Sequence, residues 1–265
     1  MSKSCCPPES WPAALQKDSE RDLLGSIQSL PTSSDSRKPI LDVYHVKPET
    51  STSKRAVIVI YDVFGLDNGR NKGICDNLAK ELDCHVVMPD FYRNRDGLQN
   101  HGGIPFTEQG MKWVKTFNIE AVLDDCNLVH EYLKGFGVTE IGSLGFCWGG
   151  WVGFHCSKSG KIKAAASCHA SLQLENMFGG SVEDLSKSVK TPILLCQAGN
   201  DQDDTKPGKE VENWVKSDAG QNVEIHEFPD MIHGWVPRGD ETKAEIKRDT
   251  ELALGKVKQF FEKYL

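Results

Sequence analysis

Short apolar runs alternate along this chain with longer segments in which apolar residues recur every three or four positions. The runs are rich in β-branched residues, which is typical of buried strands, whereas the longer spacing is typical of amphipathic helices. The predicted strands are Ile40–Val46, Ala56–Asp62, His85–Pro89, Glu140–Cys147, Ile162–Cys168, Pro192–Ala198 and Val223–Phe228. The predicted helices are Asn71–Leu82, Ile119–Phe136, Trp148–Ser159, Lys209–Ser217 and Ala244–Leu265. This alternation predicts an α/β fold with helices on both faces of a mostly parallel central sheet.

The chain length of 265 residues suits one domain with a single core. We expect residues 40–265 to form that domain and residues 1–39 to be an N-terminal extension that is packed on it or frayed from it. The polar stretch Leu30–Ser36 predicts a surface loop in this extension. Cys5 and Cys6 have no second pair of ligands in the sequence, so a frayed terminus is favoured over metal binding or acylation.

Charge and hydropathy exclude several classes of partner. The net charge is −7 and no basic stripe is present, which argues against nucleic-acid binding. Apolar runs such as Arg55–Tyr61 are far shorter than the roughly 20 residues that cross a bilayer, so no membrane partner is expected. The first eleven residues lack the features of a secretory or transit signal, and we therefore expect a cytoplasmic location. Nine cysteines, mostly within apolar runs, predict buried thiols rather than a disulfide framework.

The segment Gly142–Gly150 predicts a nucleophile elbow. A β run ends there at the glycine-flanked Cys147 and continues at once into a helical pattern. Gly145 and Gly149 are expected because a Cβ at either position would collide with neighbouring backbone. A thiol at the start of a helix is favoured as the thiolate, and the amide of Trp148 is expected to face a developing oxyanion. The alternative is a close strand–helix turn with a buried cysteine as filler.

A thiol nucleophile needs a histidine, and His233 is favoured among the eight because it follows a late strand and precedes the last helix. His169 also ends a strand and is the rival, either as the base or as a substrate contact. Asp201 ends the strand before His233 and is favoured as the orienting acid over Asp203 and Asp204. The order of cysteine, aspartate and histidine matches that of α/β hydrolases.

The loop after the strand Ala56–Asp62 is expected to complete the site. The N–H of Val63 is the second candidate oxyanion donor. Asp62 is expected either to hold Cys147 or Arg93 by a charge-assisted hydrogen bond or simply to end the strand. Aromatic residues near these loops either line an apolar pocket or pack in the core: they are Phe64, Phe91, Tyr92, Trp148, Trp151 and Trp235.

Four segments carry a resemblance to a known family: Tyr61–Gly65, Met88–Tyr92, Gly145–Gly150 and His233–Trp235. From about residue 40 to the C-terminus the chain resembles the dienelactone hydrolase family, the carboxymethylenebutenolidase-like branch of the α/β hydrolases. The resemblance implies the α/β-hydrolase fold and a triad of Cys147, His233 and Asp201. It also implies opening of cyclic enol lactones through an acyl-enzyme. No metal or cofactor is expected for this mechanism.

The chain departs from the family pattern in two places. The family usually has glutamate at the position of Asp62, where it interacts with the resting thiol, and the shorter side chain here leaves that role open. Bacterial members place an arginine two residues beyond the position of Tyr92, to bind a substrate carboxylate. Asn94 stands there in this chain, between Arg93 and Arg95. The N-terminal segment is similar to that of eukaryotic members.

The sequence therefore predicts a hydrolase that acts on a small-molecule lactone, ester or thioester, as a monomer or small homo-oligomer. Asp62, Phe64, Tyr92, Arg93 and Trp235 are the candidates for binding substrate or holding the thiol. Two alternatives use the same fold without turnover. One is a thiol redox sensor or electrophile-binding protein that uses the same cysteine, and the other is an interaction scaffold with a vestigial site.

Overall fold

The computed structural model of the protein describes residues 6–7, 9–14, 23–31, 40–50, 52–93, 97 and 108–265. The strands in these ranges are β1 (Ser26–Pro31), β2 (Ile40–Val46), β3 (Arg55–Ile60), β4 (His85–Pro89), β5 (Glu140–Phe146), β6 (Ala164–Cys168), β7 (Ile193–Ala198) and β8 (Val223–Phe228). The helices are α1 (Asn71–Leu82), α2 (Glu108–Val114), α3 (Ile119–Lys134), α4 (Trp148–Ser159), α5 (Leu174–Met177), α6 (Val182–Lys187), α7 (Glu210–Asn213), α8 (Trp235–Arg238) and α9 (Ala244–Tyr264).

The described strands form one sheet in the order β1-β2-β4-β3-β5-β6-β7-β8. β1 and β2 run antiparallel to their neighbours, and the other adjacent strands are parallel. Five of the six residues of β3 are buried, as expected for a central parallel strand covered on both faces. The prediction of a mostly parallel α/β sheet is confirmed.

The sheet begins earlier in the chain than the sequence indicates. β1 lies within the predicted N-terminal extension and pairs with β2, with Ser26 opposite His45 and Pro31 opposite Ile40. Leu30 and Pro31 close this strand where a loop was predicted, and residues 32–39 lie outside the described residues. β1 is an edge strand with one buried side chain, Leu30, so its sequence shows no clear alternation of apolar and polar residues.

The long helices lie where helical spacing predicts them, and the differences are short elements. The predicted helix at 209–217 is α7 followed by a π-helical turn, Trp214–Asp218. α2, α5, α6 and α8 were not predicted because four to seven residues are too few to show a helical period. No helix in the described part of the chain is both long enough and apolar enough to cross a membrane. The eight described cysteines are buried thiols, as predicted for those within apolar runs.

The parallel strands position the candidate site. Because β3, β5, β6, β7 and β8 run in the same direction, the loops that follow them meet at one edge of the sheet. These loops carry the residues that the sequence singled out: Asp62, Val63, Cys147, His169, Asp201 and His233.

Candidate active site

Cys147 occupies a sharp turn between β5 and α4. Its backbone has φ 55° and ψ −111°, a conformation that costs a residue with a Cβ about 1–3 kcal/mol. Its N–H donates to the carbonyl of Cys168 at 3.3 Å, and its own carbonyl accepts from the N–H groups of Gly150 and Ser171, both at 3.0 Å. The strained turn is thus held by hydrogen bonds on both sides.

The glycines of this elbow are required by backbone contacts. A Cβ on Gly145 would lie 2.2 Å from the carbonyl oxygen of Gly149. A Cβ on Gly149 would lie 2.0 Å from the carbonyl oxygen of Ile60, at the end of β3. The predicted collisions are therefore confirmed. The second contact also shows that the end of β3 lies directly against the start of α4.

We expect Gly149→Ala to lower the free energy of unfolding by about 1–3 kcal/mol, because backbone must move to admit the methyl group. The matched control is Gly153→Ala in the same helix, where a Cβ would meet nothing closer than 3.6 Å. That substitution is expected to be neutral or to stabilise by about 0.5–1 kcal/mol through helix propensity. Urea unfolding of both variants measures the difference, and equal stabilities would contradict this account of the turn.

The Cys147 thiol is buried and has two close neighbours that the sequence did not indicate. Its Sγ lies 3.3 Å from the Oγ of Ser171, which follows β6, and 3.3 Å from the Sγ of Cys6. The prediction of a frayed terminus is wrong for Cys6, which is fully buried. The N-terminal segment is held in place because Trp11 N–H donates to the carbonyl of His233 at 2.9 Å and Ala14 N–H donates to Asn68 Oδ1 at 3.3 Å. Cys5 lies outside the described residues.

His233 and Asp201 form a buried hydrogen-bonded pair. The Nδ1 of His233 lies 2.5 Å from Oδ1 of Asp201. The other oxygen of Asp201 accepts the N–H of Ala198 at 2.6 Å, and the His233 N–H donates to Asn200 Oδ1 at 2.7 Å. The rival Asp203 is exposed and faces Lys206. The geometry therefore selects Asp201 among the three aspartates as the partner of His233.

The opposite nitrogen of His233 faces the thiols. A ring nitrogen of His233 and the sulfurs of Cys147 and Cys6 all lie within 4.8 Å of one another. Since Nδ1 is engaged with Asp201, Nε2 is the nitrogen that is available. Among the described residues it has no hydrogen bond of standard geometry.

The charges around His233 favour its protonated form. Burial lowers the pKa of the imidazole, but the negative charges of Cys147 and Asp201 and hydrogen bonds to them outweigh this and raise the pKa to about 9. At neutral pH the protonated imidazolium of His233 is therefore the favoured form. Burial and the charge of His233 hold the pKa of His169 well below its usual value, so His169 is neutral.

His169 packs against His233, and neither of its ring nitrogens has a hydrogen bond of standard geometry among the described residues. Its ring centroid lies 4.8 Å from that of His233 and 5.3 Å from that of Trp235. The backbone of His169 is also in the left-handed region, with φ 45°. Trp235, a candidate for substrate binding, is buried and packs on His169 and Phe228. The rival histidine is thus a wall of the site, beside the histidine that contacts Asp201.

Asp62 does not hold either predicted partner. Its Oδ2 accepts from Nε of Arg238 at 2.7 Å, and its Oδ1 accepts the N–H of Phe64 at 2.9 Å. Arg93 instead donates to both oxygens of Asp125, at 2.8 and 2.7 Å. The prediction that Asp62 holds Cys147 or Arg93 is corrected, because α8 places the guanidinium of Arg238 beside the loop after β3. Burial raises the pKa of Asp62 even though Arg238 opposes this.

Arg238 is a site residue that sequence reasoning missed. Its guanidinium carbon lies 4.6 Å from the ring centroid of Phe64, and its Nη1 donates to the carbonyl of Pro12 at 3.1 Å. It thus connects the loop after β3 with the N-terminal segment. Its position on a four-residue helix shortly after His233 was the one available signal, and that signal is not specific.

The two candidate oxyanion donors lie on adjacent elements. Trp148 is the first residue of α4, so its N–H has no acceptor within the helix. Val63 is on the loop that follows β3, whose end touches Gly149. Tyr92 is in a buried aromatic cluster, with its ring centroid 5.1 Å from that of Trp148 and 4.6 Å from that of Phe117. The elbow is therefore bordered by aromatic side chains.

Comparisons with known proteins show which proteins this chain is similar to. The family model described as "Dienelactone hydrolase family" matches residues 41–265. A carboxymethylenebutenolidase homologue of Xenopus tropicalis is 29% identical over 217 residues, which are 78% of this chain and 81% of that protein. The carboxymethylenebutenolidase homologue of Homo sapiens is 27% identical over 186 residues, 68% of this chain and 70% of its own.

A solved structure supports the fold. The crystal structure of a putative dienelactone hydrolase from Klebsiella pneumoniae superimposes with a TM-score of 0.66 at 17% sequence identity. The superposition covers 91% of this chain and 99% of that chain. At this identity the likeness extends to the architecture alone, which is that of α/β hydrolases.

Proposed function

Since this chain belongs to the dienelactone hydrolase family and is a hydrolase, we propose that Cys147, His233 and Asp201 are its catalytic triad. The observation that carries the proposal is the buried Asp201–His233 hydrogen bond, which leaves Nε2 facing the Cys147 thiol. The reaction class is cleavage of a lactone, ester or thioester through an acyl-enzyme.

In this mechanism the Cys147 thiolate attacks the carbonyl carbon of the substrate. The N–H groups of Val63 and Trp148 stabilise the oxyanion that forms. The imidazolium of His233 then gives its proton to the leaving oxygen, and an acyl thioester remains on Cys147. In the second half, neutral His233 takes a proton from water, which attacks the thioester and releases the acid. Asp201 keeps Nδ1 protonated throughout, so that Nε2 exchanges the proton.

A cyclic enol lactone is the substrate class that the names of the related carboxymethylenebutenolidases favour. The aromatic residues around the elbow suit a planar apolar ring. Arg93 and Arg238 are both already paired with carboxylates of the chain. We therefore propose that a neutral lactone or ester is accepted and that a substrate carboxylate is not required.

The test is to quench the full-length protein during turnover of a dienelactone or a p-nitrophenyl ester and map the acyl group by mass spectrometry. The acyl group is expected on the peptide that contains Cys147. The sulfur of Cys6 lies 3.3 Å from that of Cys147, so the peptide that contains Cys6 must be separated from the peptide that contains Cys147 before the acyl group is assigned. Turnover with the acyl group on any other residue would refute the proposed nucleophile.

The pKa of His233 predicts an alkaline limit of activity. Because that pKa is raised to about 9, the imidazolium persists through neutral pH and is lost above about pH 9. We expect kcat/KM for an alkyl ester, whose leaving group needs a proton, to fall above that pH. Asp201→Asn removes a charge that raises the pKa, so its alkaline limb should move to lower pH. The control Asp203→Asn alters an exposed carboxylate and should leave the profile unchanged. An identical limb in all three proteins would rule out His233 as the titrating group.

A further inference from the structure

The contact between Cys6 and the candidate nucleophile has no place in the hydrolytic mechanism. The two sulfurs lie 3.3 Å apart, both are fully buried, and 141 positions separate them in the chain. Together with a ring nitrogen of His233, they form a group of three metal-ligating atoms within 4.8 Å. We propose that Cys6, Cys147 and His233 form a binding site for a zinc ion.

The spacing of the three atoms suits a tetrahedral ion. Zinc bonds of about 2.3 Å to sulfur and 2.0–2.1 Å to nitrogen place tetrahedral ligand atoms roughly 3.4–3.8 Å apart. The sulfurs are slightly closer than this, and no pair in the group is separated by more than 4.8 Å. The required shifts of side-chain atoms are therefore about an ångström. Two thiolates and an imidazole are also a donor set that prefers zinc to harder ions.

The surroundings supply what a buried zinc ion needs. Two thiolates balance the charge of the ion. Nε2 of His233 is directed into the group and has no hydrogen bond of standard geometry among the described residues. Zinc binding there displaces the proton of the imidazolium. Nδ1 is held by Asp201 at 2.5 Å, and such a carboxylate orients a zinc-binding histidine and increases its basicity.

The N-terminal segment delivers the first ligand. Besides the bond from Trp11 to His233, Pro12 accepts a hydrogen bond from Arg238, and Lys243 lies 5.8 Å from the ring centroid of Trp11. These contacts hold the segment across the site, where the sulfur of Cys6 lies 3.3 Å from the sulfur of Cys147. A zinc ion bound there occupies the Cys147 thiolate, and the protein is then an inhibited hydrolase. The inhibition rests on the proposed function, whereas the binding does not.

The experiment is a zinc titration of the full-length, reduced protein against a chelating dye, in the presence of a phosphine reductant. One zinc ion per chain is expected. Cys6→Ser and Cys147→Ser should each weaken binding by about 100-fold or more, because each removes a direct ligand. The matched control, Cys156→Ala, removes a buried thiol elsewhere in α4 and should bind zinc like the wild type. With cobalt as a probe, thiolate-to-metal charge-transfer bands should appear in the wild type and be lost in Cys6→Ser.

Binding that survives Cys6→Ser, or no stoichiometric binding by the reduced wild type, would overturn the zinc site. A Cys6–Cys147 disulfide in air, with no zinc binding after reduction, would do the same. Ester hydrolysis is measured in parallel. If zinc does not inhibit hydrolysis, the proposed metal site is refuted and the proposed function stands. If the protein binds zinc but hydrolyses none of the esters, the proposed function is refuted and the metal site stands.

Discussion

Replacing Cys147 by alanine is expected to lower kcat/KM for ester or lactone hydrolysis by about 10⁴-fold. The loss is large because the variant has no group that can form the acyl intermediate, whereas the oxyanion donors and the binding surface remain. Steady-state assays with a dienelactone and a p-nitrophenyl ester measure the change, and the acyl adduct should disappear with it.

The matched control is Cys156→Ala, since Cys156 is a buried thiol in α4, the helix that begins directly after Cys147. It should keep the wild-type rate. Circular dichroism and urea unfolding establish that both variants are folded. A Cys147→Ala protein with the activity of the control would exclude Cys147 as the nucleophile.

Arg238→Met is expected to lower the free energy of unfolding by about 3–5 kcal/mol, because it leaves the carboxylate of Asp62 buried without its cation. The side chains of Arg238 and Asp62 are 0% and 1% exposed, and the nitrogen–oxygen distance is 2.7 Å. Urea unfolding, with the linear dependence on denaturant, measures the change.

A second ion pair of the same residue types is the control. Arg93 and Asp125 have side chains that are 28% and 15% exposed, so water compensates for much of a lost charge. Arg93→Met should cost about 1 kcal/mol or less. The double variant Asp62→Asn with Arg238→Met should cost less than the sum of its single changes, because no uncompensated charge remains. Equal costs for Arg238→Met and Arg93→Met would show that burial does not set the strength of the Asp62–Arg238 pair.

The elements that were predicted well have local signals. The period of apolar residues located β2, β4, β8, α1 and α4 at the observed boundaries. Helix α1 and β4 are each defined by contacts that repeat over a few residues, and such contacts leave a periodic pattern in the sequence. Residues at the carboxyl ends of parallel strands meet by geometry, which is why Cys147, His233 and Asp201 could be grouped before any coordinates.

What the sequence by itself determined was the α/β sheet, the glycine-flanked elbow and the set of strand-end residues from which a triad can be drawn. Only the tertiary structure decided that Asp201 is the partner of His233, that Asp62 pairs with Arg238, and that Cys6 contacts Cys147. Each of these contacts joins residues at least 32 positions apart in the chain. The local sequence carries no period or motif for such a contact, because its free energy depends on burial and on the charges that the fold assembles around it.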